Sequence, residues 1–253
     1  MTNEIKIVLD RICNNDIFYG NSFFVGGTAL SYYLNHRISY DIDIAFTDKL
    51  PISKINAFAY SIGARAIPDS NASQFKINTG EDIKNYHMKF MLEGVKLEFS
   101  YFRDPIQIEI IKQAKAQPYI DNSKLKVLDL KSIVKLKIFA LFNRKKTRDL
   151  FDAYMILEKD LFTLNELETL YSFVQHNELS LREYIENFNS SDDENDNSLD
   201  FLKEQVHYKT FGKKNQTKRC EISKKMFFEQ YDKKKKKLLV SMEKRGKRVK
   251  KIN

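Results

Sequence analysis

The segment FVGGTALSYYLNHRISYDIDIAF, residues 24–46, joins a glycine pair to a strand that carries two aspartates. Residues 23–25 predict a short buried strand that ends at the glycine pair, and a short helix begins at Thr28. Residues 41–46 alternate apolar side chains with aspartate or alanine, the period of a half-buried strand. Amides at a helix start bind phosphate oxygens, and carboxylates bind metal ions, so a nucleoside triphosphate would satisfy both features.

Gly26 and Gly27 are the candidate phosphate contacts, together with the amide of Thr28. No lysine follows them at P-loop spacing, and their spacing is not that of a dinucleotide fold. A tight turn that needs a positive φ is the alternative explanation of the pair. The return to an acidic strand after one short helix favours the phosphate interpretation. Arg37 lies on the loop before that strand and is a further candidate contact of the triphosphate.

Asp41 and Asp43 are candidate metal ligands and catalytic residues, because residues two apart in a strand share one face, with Cα atoms roughly 6.5 Å apart. Both carboxylates could then reach a shared pair of Mg²⁺ ions. Segments 87–92 and 95–102 flank Glu93-Gly94, which predicts a hairpin, and Glu98 on its second strand is the third candidate acid. The alternative is that the aspartates only line the solvent face of an edge strand.

The chain is predicted to form two domains, an α/β domain over residues 1–122 and a helical bundle over 123–253. In the first, a helix is expected at 52–62, a weak strand at 74–77 and antiparallel strands beyond the helix. After Pro118 only helices are expected. Their predicted ranges are 128–142, 148–157, 164–174, 181–188, 199–206 and 222–242. Residues 190–198, SSDDENDNS, predict a polar loop.

Positive charge is concentrated at the C-terminus. Residues 211–253 contain 17 Lys and Arg against 4 Asp and Glu, whereas the whole chain has a net charge of +9. A run such as Lys233 to Lys237 would attract a phosphate backbone, and a solvated tail is the equally weighted alternative. The two distant cysteines support neither disulfides nor a zinc cluster, and no signal peptide or membrane span is indicated. A cytoplasmic location is therefore expected.

Two motifs resemble those of a known family. GGTAL followed by NHRISYDIDIAF is similar to the first motif of the AbiEii-type nucleotidyltransferase toxins, members of the polymerase-β-like nucleotidyltransferase superfamily. KLKIFALFNRKKTRDLFDAY, residues 135–154, is similar to the helical signature of the same family. The matching positions of that signature are Lys137, Arg144, Arg148, Asp149 and Asp152. The resemblance covers residues 20–160 well and the remainder poorly.

The resemblance implies an α+β fold in which a mixed sheet with flanking helices holds the metal site and a C-terminal helical bundle closes over the nucleotide. It also implies that Asp41 and Asp43 bind Mg²⁺ or Mn²⁺, with Glu98 in the place of the third acid. Lys137 and Arg144 would contact phosphate or substrate. The alternative is that Lys137 and Arg144 only cover a polar helix surface. Arg148 and Asp149 are expected to form a structural, interdomain ion pair.

The function implied is transfer of a nucleotide from an NTP to an acceptor by a bacterial toxin of a toxin-antitoxin or phage-defence pair. RNA such as tRNA would be the acceptor, and a cognate antitoxin the protein partner. Two other classes stay open. A two-metal nuclease could use the same acids, although the glycine pair would then be unexplained. A nucleic-acid-binding protein with a vestigial transferase site is also compatible with glutamate as the third acid.

Overall fold

The computed structural model describes residues 1–18, 20–175, 179–190, 199 and 215–249, the last range with the side chains of 219–242. The chain divides into two compact units, residues 1–136 and 137–253. The division lies inside a helix, later in the chain than the boundary expected at residue 122. Among the described helices, none has the combined length and apolarity that a membrane span requires.

In the described part of unit 1, seven strands form one mixed sheet with the order β3-β4-β5-β2-β1-β7-β6. The strands are β1 Ser22–Val25, β2 Asp41–Phe46, β3 Arg65–Ala66, β4 His87–Leu92, β5 Val95–Tyr101, β6 Ala116–Pro118 and β7 Lys126–Leu128. The predicted strands around residues 24, 44, 90 and 98 are confirmed. The predicted hairpin is also confirmed, since β4 and β5 pair antiparallel across Glu93-Gly94, which both have positive φ.

Helices flank the sheet in unit 1 and make up the described regular structure of unit 2. They are α1 Asn3–Ile12, α2 Gly26–Leu34, α3 Ile52–Ser61, α4 Ala72–Thr79, α5 Pro105–Gln113, α6 Leu130–Asn143, α7 Thr147–Glu158, α8 Leu164–Val174, α9 Leu181–Glu186 and α10 Asn215–Val249. The predicted mixed sheet with flanking helices and a following set of helices is therefore present. The predicted helix at 199–206 and polar loop at 190–198 lie almost wholly outside the described residues.

The structure corrects two local predictions. The segment predicted as a weak strand at 74–77 is part of the helix α4, which ends at Gly80 in a left-handed conformation. Because α4 buries none of its residues, the segment has no apolar stripe at helical spacing that would have indicated a helix. The prediction of helices only after Pro118 is also wrong. β7 is a strand that pairs parallel with β1, a partner about a hundred residues away that local periodicity cannot reveal.

The core of unit 1 lies against one face of the sheet, and the strand β2 is central to it. Phe58 of α3 and Phe90 of β4 meet Phe99 of β5 edge-to-face, with ring centroids 6.3 and 5.9 Å apart. Ile42 and Ile44 are buried on β2. Each such side chain contributes about 1.5–3 kcal/mol of burial energy. The core thus fixes which face of β2 and β5 is apolar and leaves the other face to the acidic residues.

Unit 2 is held together by apolar contacts between helices and by explicit helix starts. Capping boxes begin α8 at Thr163 and α9 at Ser180, each satisfying backbone amides at the helix start. Phe151 of α7 is buried beside Leu199 and packs against Ile222 of α10. The sequence predictions for α6 to α9 and for the middle of α10 are confirmed within one to two residues at most ends.

Candidate active site

The acidic residues of the sheet lie on two strands that pair directly. β2 lies between β1 and β5, and its parallel register with β5 sets Asp41 opposite Lys96 and Asp43 opposite Glu98. The sequence placed the third acid on a neighbouring strand, and this adjacency is confirmed. The alternative that the aspartates line an edge strand is wrong, because β2 has a partner on both sides.

A lysine ammonium lies between two of these carboxylates. Nζ of Lys96 is 3.1 Å from Oδ2 of Asp41 and 2.6 Å from Oε1 of Glu98. We call these three residues the sheet cluster. Burial by itself would lower the pKa of Lys96, but the hydrogen bond and charge of Glu98 and the charge of Asp41 raise it above its ordinary value. Lys96 is therefore a permanent cation at neutral pH.

Glu98 has a second hydrogen-bonding neighbour, the imidazole of His87. Nε2 of His87, on β4, is 3.4 Å from Oε2 of Glu98. Burial would raise the pKa of Glu98, yet hydrogen bonds from His87 and Lys96 outweigh it and lower the pKa to about 2. Glu98 is thus a carboxylate at neutral pH, and it shares the ammonium of Lys96 with Asp41.

The turn from β1 to α2 closes against the same acidic face. Gly26 has a φ of +79°, and a β-carbon at this position would lie only 1.9 Å from Oδ2 of Asp43. Glycine is required there both for the backbone conformation and for the approach of the carboxylate. The hydroxyl of Thr28 donates to the carbonyl of Asp41, which ties the start of α2 to the start of β2.

The predicted phosphate contacts lie at the start of α2, and their binding of an anion stays a prediction. Val25, which precedes the helix, offers no side-chain cap, so the first-turn amides receive no capping hydrogen bond from that residue. Gly27 and Thr28 are buried, whereas Gly26 is partly exposed. Arg37 is buried as well, and its Nη1 donates to the carbonyl of Ile38 at 3.1 Å. Its contact with a triphosphate stays a prediction.

The predicted basic residues of the helical motif form a second cluster, within unit 2. Nζ of Lys137 lies 3.1 Å from Oδ2 of Asp152 and 3.5 Å from Oδ1 of Asp149. We call these three residues the bundle cluster. Arg144 donates to both carboxylate oxygens of Asp149 at 2.8 and 3.0 Å. Asp149 therefore finds these partners in its own unit, whereas the sequence suggested an interdomain pair with Arg148.

Burial separates the two basic residues of this motif. The side chain of Lys137 is only 5% exposed, so the alternative that it covers a polar helix surface is wrong. The side chain of Arg144 is 48% exposed. Burial by itself would raise the pKa of Asp149, but the charges of Lys137 and Arg144 lower it. A contact of either basic residue with the nucleotide stays a prediction.

The donor set of the sheet suits a hard divalent cation. Within the described residues, no three His, Cys, Asp or Glu side chains are grouped closely enough to hold a metal ion. Asp41 and Glu98 nevertheless already share one cation, the ammonium of Lys96, and Asp43 is paired in register with Glu98. Carboxylate oxygens are the ligands that Mg²⁺ prefers. The residues therefore fit a divalent ion by their chemistry.

Sequence reasoning overlooked Lys96, His87 and the ion pair of Lys89 with Asp69, whose atoms are 3.1 Å apart. Lys96 precedes Glu98 by two residues, so the strand period already placed both on one face. The sequence therefore indicated that Lys96 and Glu98 are neighbours. The contact of Lys96 with Asp41 on β2 follows only from the strand register.

Three comparisons with known proteins complement this geometry. The family model for the AbiEii nucleotidyl transferase toxin of type IV toxin-antitoxin systems matches residues 8–231. The uncharacterized protein aq_aa25 of Aquifex aeolicus is 28% identical over 165 residues, which cover 65% of this chain and 68% of that protein. JHP933 from Helicobacter pylori has a TM-score of 0.41 and 16% identity, with 96% of this chain and 99% of that chain covered. MenT4, a nucleotidyltransferase toxin of Mycobacterium tuberculosis, has a TM-score of 0.36 and 14% identity, with coverage of 64% and 58%.

The family match shows that the protein is a nucleotidyltransferase, and the mixed sheet with acidic residues on two central strands beside a glycine turn agrees with that class. The match over most of its length shows that the chain belongs to the AbiEii nucleotidyl transferase toxin family. The family assignment thus supports the enzyme class expected from the motifs, and the two-metal nuclease is not retained.

Proposed function

We propose that this chain transfers a nucleoside monophosphate from an NTP to an RNA acceptor, with Mg²⁺ or Mn²⁺ bound by Asp41, Asp43 and Glu98. The supporting observation is that these acids lie on adjacent central strands, beside the glycine turn. Bound divalent ions would activate the acceptor hydroxyl and neutralise the triphosphate during in-line attack on the α-phosphorus. Pyrophosphate would be the leaving group.

The chain's own groups have distinct roles in this proposal. The amides of Gly26, Gly27 and Thr28 bind the phosphate tail at the start of α2, where the helix dipole favours negative charge. Gly26 also leaves room for the Asp43 carboxylate, so phosphate and metal ligands can lie side by side. Arg37 contacts the triphosphate from the loop before β2, where its guanidinium also donates to the carbonyl of Ile38.

Lys137 and Arg144 enter the proposal with different roles. Arg144 is half exposed and holds Asp149 through two hydrogen bonds, so its guanidinium is fixed in orientation and can bind a phosphate. Lys137 is buried under two carboxylates and supports Arg144 by sharing Asp149. Of the two predicted substrate contacts, Arg144 is therefore proposed as a contact and Lys137 as a supporting residue.

The acceptor is proposed to be RNA, bound in part by the helix α10. Lys233, Lys235, Lys236 and Lys237 are exposed on this helix. Such a cationic stretch attracts a phosphate backbone without selecting a sequence. tRNA is the candidate acceptor, and the type IV toxin family adds a cognate antitoxin as the expected protein partner, in a bacterial cytoplasm.

The test is transfer of label from each α-labelled NTP to total bacterial RNA by the purified chain with Mg²⁺. Wild-type protein should label RNA, and Asp41→Ala should abolish labelling while circular dichroism and the melting temperature show a folded protein. Asp121→Ala changes an exposed aspartate in the β6–β7 turn and should retain wild-type labelling. Full activity of Asp41→Ala would refute this site.

The same assay distinguishes the transferase from the remaining alternative, a nucleic-acid-binding protein with a vestigial site. Such a protein would bind RNA, and would give no Mg²⁺-dependent label transfer with any NTP or any RNA fraction. The vestigial site stays an alternative because the third acid is a glutamate. Its carboxylate lies one methylene farther from the backbone than that of aspartate.

A further inference from the structure

Lys96 has contacts that the transferase chemistry described above does not use. Its ammonium contacts the carboxylates of Asp41 and Glu98 at 3.1 and 2.6 Å, and its side chain is 31% exposed. The strand register holds it there, because Lys96 lies directly opposite Asp41 on β2 and two residues before Glu98 on β5. The strand framework thus places a positive charge between two proposed metal ligands.

The position of this charge is specific among the lysines of the same sheet face. Lys89 of β4 lies opposite Glu98 in the antiparallel register and has a similar exposure of 27%. Its ammonium is directed to Asp69, on the connection between β3 and α4, at 3.1 Å. Two lysines of similar exposure therefore differ in their partners, and only Lys96 contacts the proposed metal ligands in these ion pairs.

We propose that Lys96 is a built-in counter-cation of the acidic site, one that a divalent ion must displace from Asp41 and Glu98 in order to bind. This inference rests on the proposed metal-dependent function. Carboxylates at close range repel one another, and a cation between them removes that penalty. Lys96 keeps the carboxylates assembled without metal, and it weakens metal binding because it competes for the same oxygens.

The consequence is a regulatory one. The site stays neutralised and stable at low divalent-ion concentration, and it binds metal only when the ion outcompetes the tethered ammonium. Loss of the ammonium should therefore strengthen metal binding and destabilise the metal-free protein. A lysine that only solubilised the sheet face would produce neither change.

The experiment measures Mn²⁺ binding to the full chain by electron paramagnetic resonance of the free ion, with no nucleotide present. Lys96→Met keeps the length of the side chain and removes its charge, and we expect a dissociation constant at least about tenfold lower than that of wild type, which corresponds to about 1.4 kcal/mol. Lys89→Met is the matched control and should leave the dissociation constant within about twofold. Asp41→Asn in the Lys96→Met background should remove the tight site.

A thermal measurement gives an independent readout. Metal-free Lys96→Met should melt at a lower temperature than wild type, and saturating Mg²⁺ should raise its melting temperature by more than it raises that of wild type. Lys96→Gln, which keeps a hydrogen-bonding group without the charge, should behave in the same way and replaces Lys96→Met if that variant does not fold.

The outcomes separate this inference from the proposed function. Unchanged or weaker Mn²⁺ binding by Lys96→Met, with an Asp41-dependent site in wild type, would overturn the counter-cation role and leave the transferase proposal standing. Absence of any Asp41-dependent Mn²⁺ site, in wild type and in the Lys96 variants, would overturn both.

Discussion

The sheet cluster and the bundle cluster have the same chemistry in different surroundings. In each, one lysine ammonium lies between two carboxylates, at 2.6 and 3.1 Å for Lys96 and at 3.1 and 3.5 Å for Lys137. The side chains of Asp41, Lys96 and Glu98 are 23, 31 and 18% exposed, whereas Lys137 is 5% exposed and its two aspartates are fully buried. Burial is the main difference between them.

This difference separates an exchangeable ion pair from a fixed one. An ion that reaches solvent can leave its partner and be replaced by water or by another cation. A buried ion cannot, because the carboxylates it leaves behind would remain unsolvated. We therefore expect the sheet cluster to respond to ligands and the bundle cluster to determine stability.

The largest effect should come from removing the buried cation. Lys137→Met leaves Asp149 and Asp152 without their ammonium and should reduce the free energy of unfolding by about 3–5 kcal/mol. The matched change Lys96→Met, in the metal-free protein, should cost about 1 kcal/mol or less because its carboxylates stay hydrated. Urea unfolding followed by circular dichroism measures both, and equal losses would break the comparison.

The second-largest effect is expected from acid, which should lower the stability that the bundle cluster provides. The pKa of Asp149 in the folded state is below its ordinary value of 3.8, despite burial, because Lys137 and Arg144 stabilise the carboxylate. Its contribution to stability is fully present above the ordinary pKa and is lost as pH falls through the folded pKa. The wild-type unfolding free energy should therefore fall below about pH 4 by up to about 1.4 kcal/mol per pH unit from this group.

The variant Asp149→Asn isolates that contribution. It should be less stable at neutral pH but should show a smaller slope of stability against pH in the acid range. Asp121→Asn, in an exposed turn, should keep the wild-type slope. An unchanged slope in Asp149→Asn would show that the buried aspartate does not carry the acid sensitivity.

The smallest effect is expected from replacing Gly26, the glycine beside the acidic face of the sheet. Gly26→Ala and Gly63→Ala both place alanine at a φ near +80°, which costs about 1–2 kcal/mol. Around Gly63 there is open space, whereas the new methyl group at residue 26 would meet the Asp43 carboxylate. Gly63→Ala should lose only this amount of stability, whereas Gly26→Ala should lose more, because the Asp43 side chain must move. Only Gly26→Ala should also reduce nucleotidyl transfer, by about tenfold or more, because Asp43 is displaced. Equal transfer activities of the two variants would show that the glycine turn at residue 26 does not contribute to the site.

The sequence predicted the acidic face well because its information is local. The alternation of apolar and acidic residues in β2 and β5 sets which side chains share a face, and Glu93-Gly94 specifies the hairpin between β4 and β5. The candidate set of Asp41, Asp43 and Glu98 followed from these patterns alone.

The rest depended on pairings between distant segments. The pairing of β7 with β1 and the bridge from Lys96 to Asp41 exist only once the strands are in register. Lys137 was predicted to contact phosphate or substrate, with a polar helix surface as the alternative, and neither prediction included burial, because lysine is rarely buried without partners. Its partners, Asp149 and Asp152, are three residues apart on the next helix, a spacing that shares one face and could have indicated an internal ion pair.

The order of the strands also determines how the enzyme fails. The edge strands β3 and β6 have only two and three residues, and all of them are exposed. The strands with the acidic residues are interior and pair on both sides. Fraying of β3 or β6 would leave the strands that carry Asp41, Asp43 and Glu98 paired on both sides. We expect a protein built this way to lose the proposed activity when the interior strands separate, and not when the edges of the sheet fray.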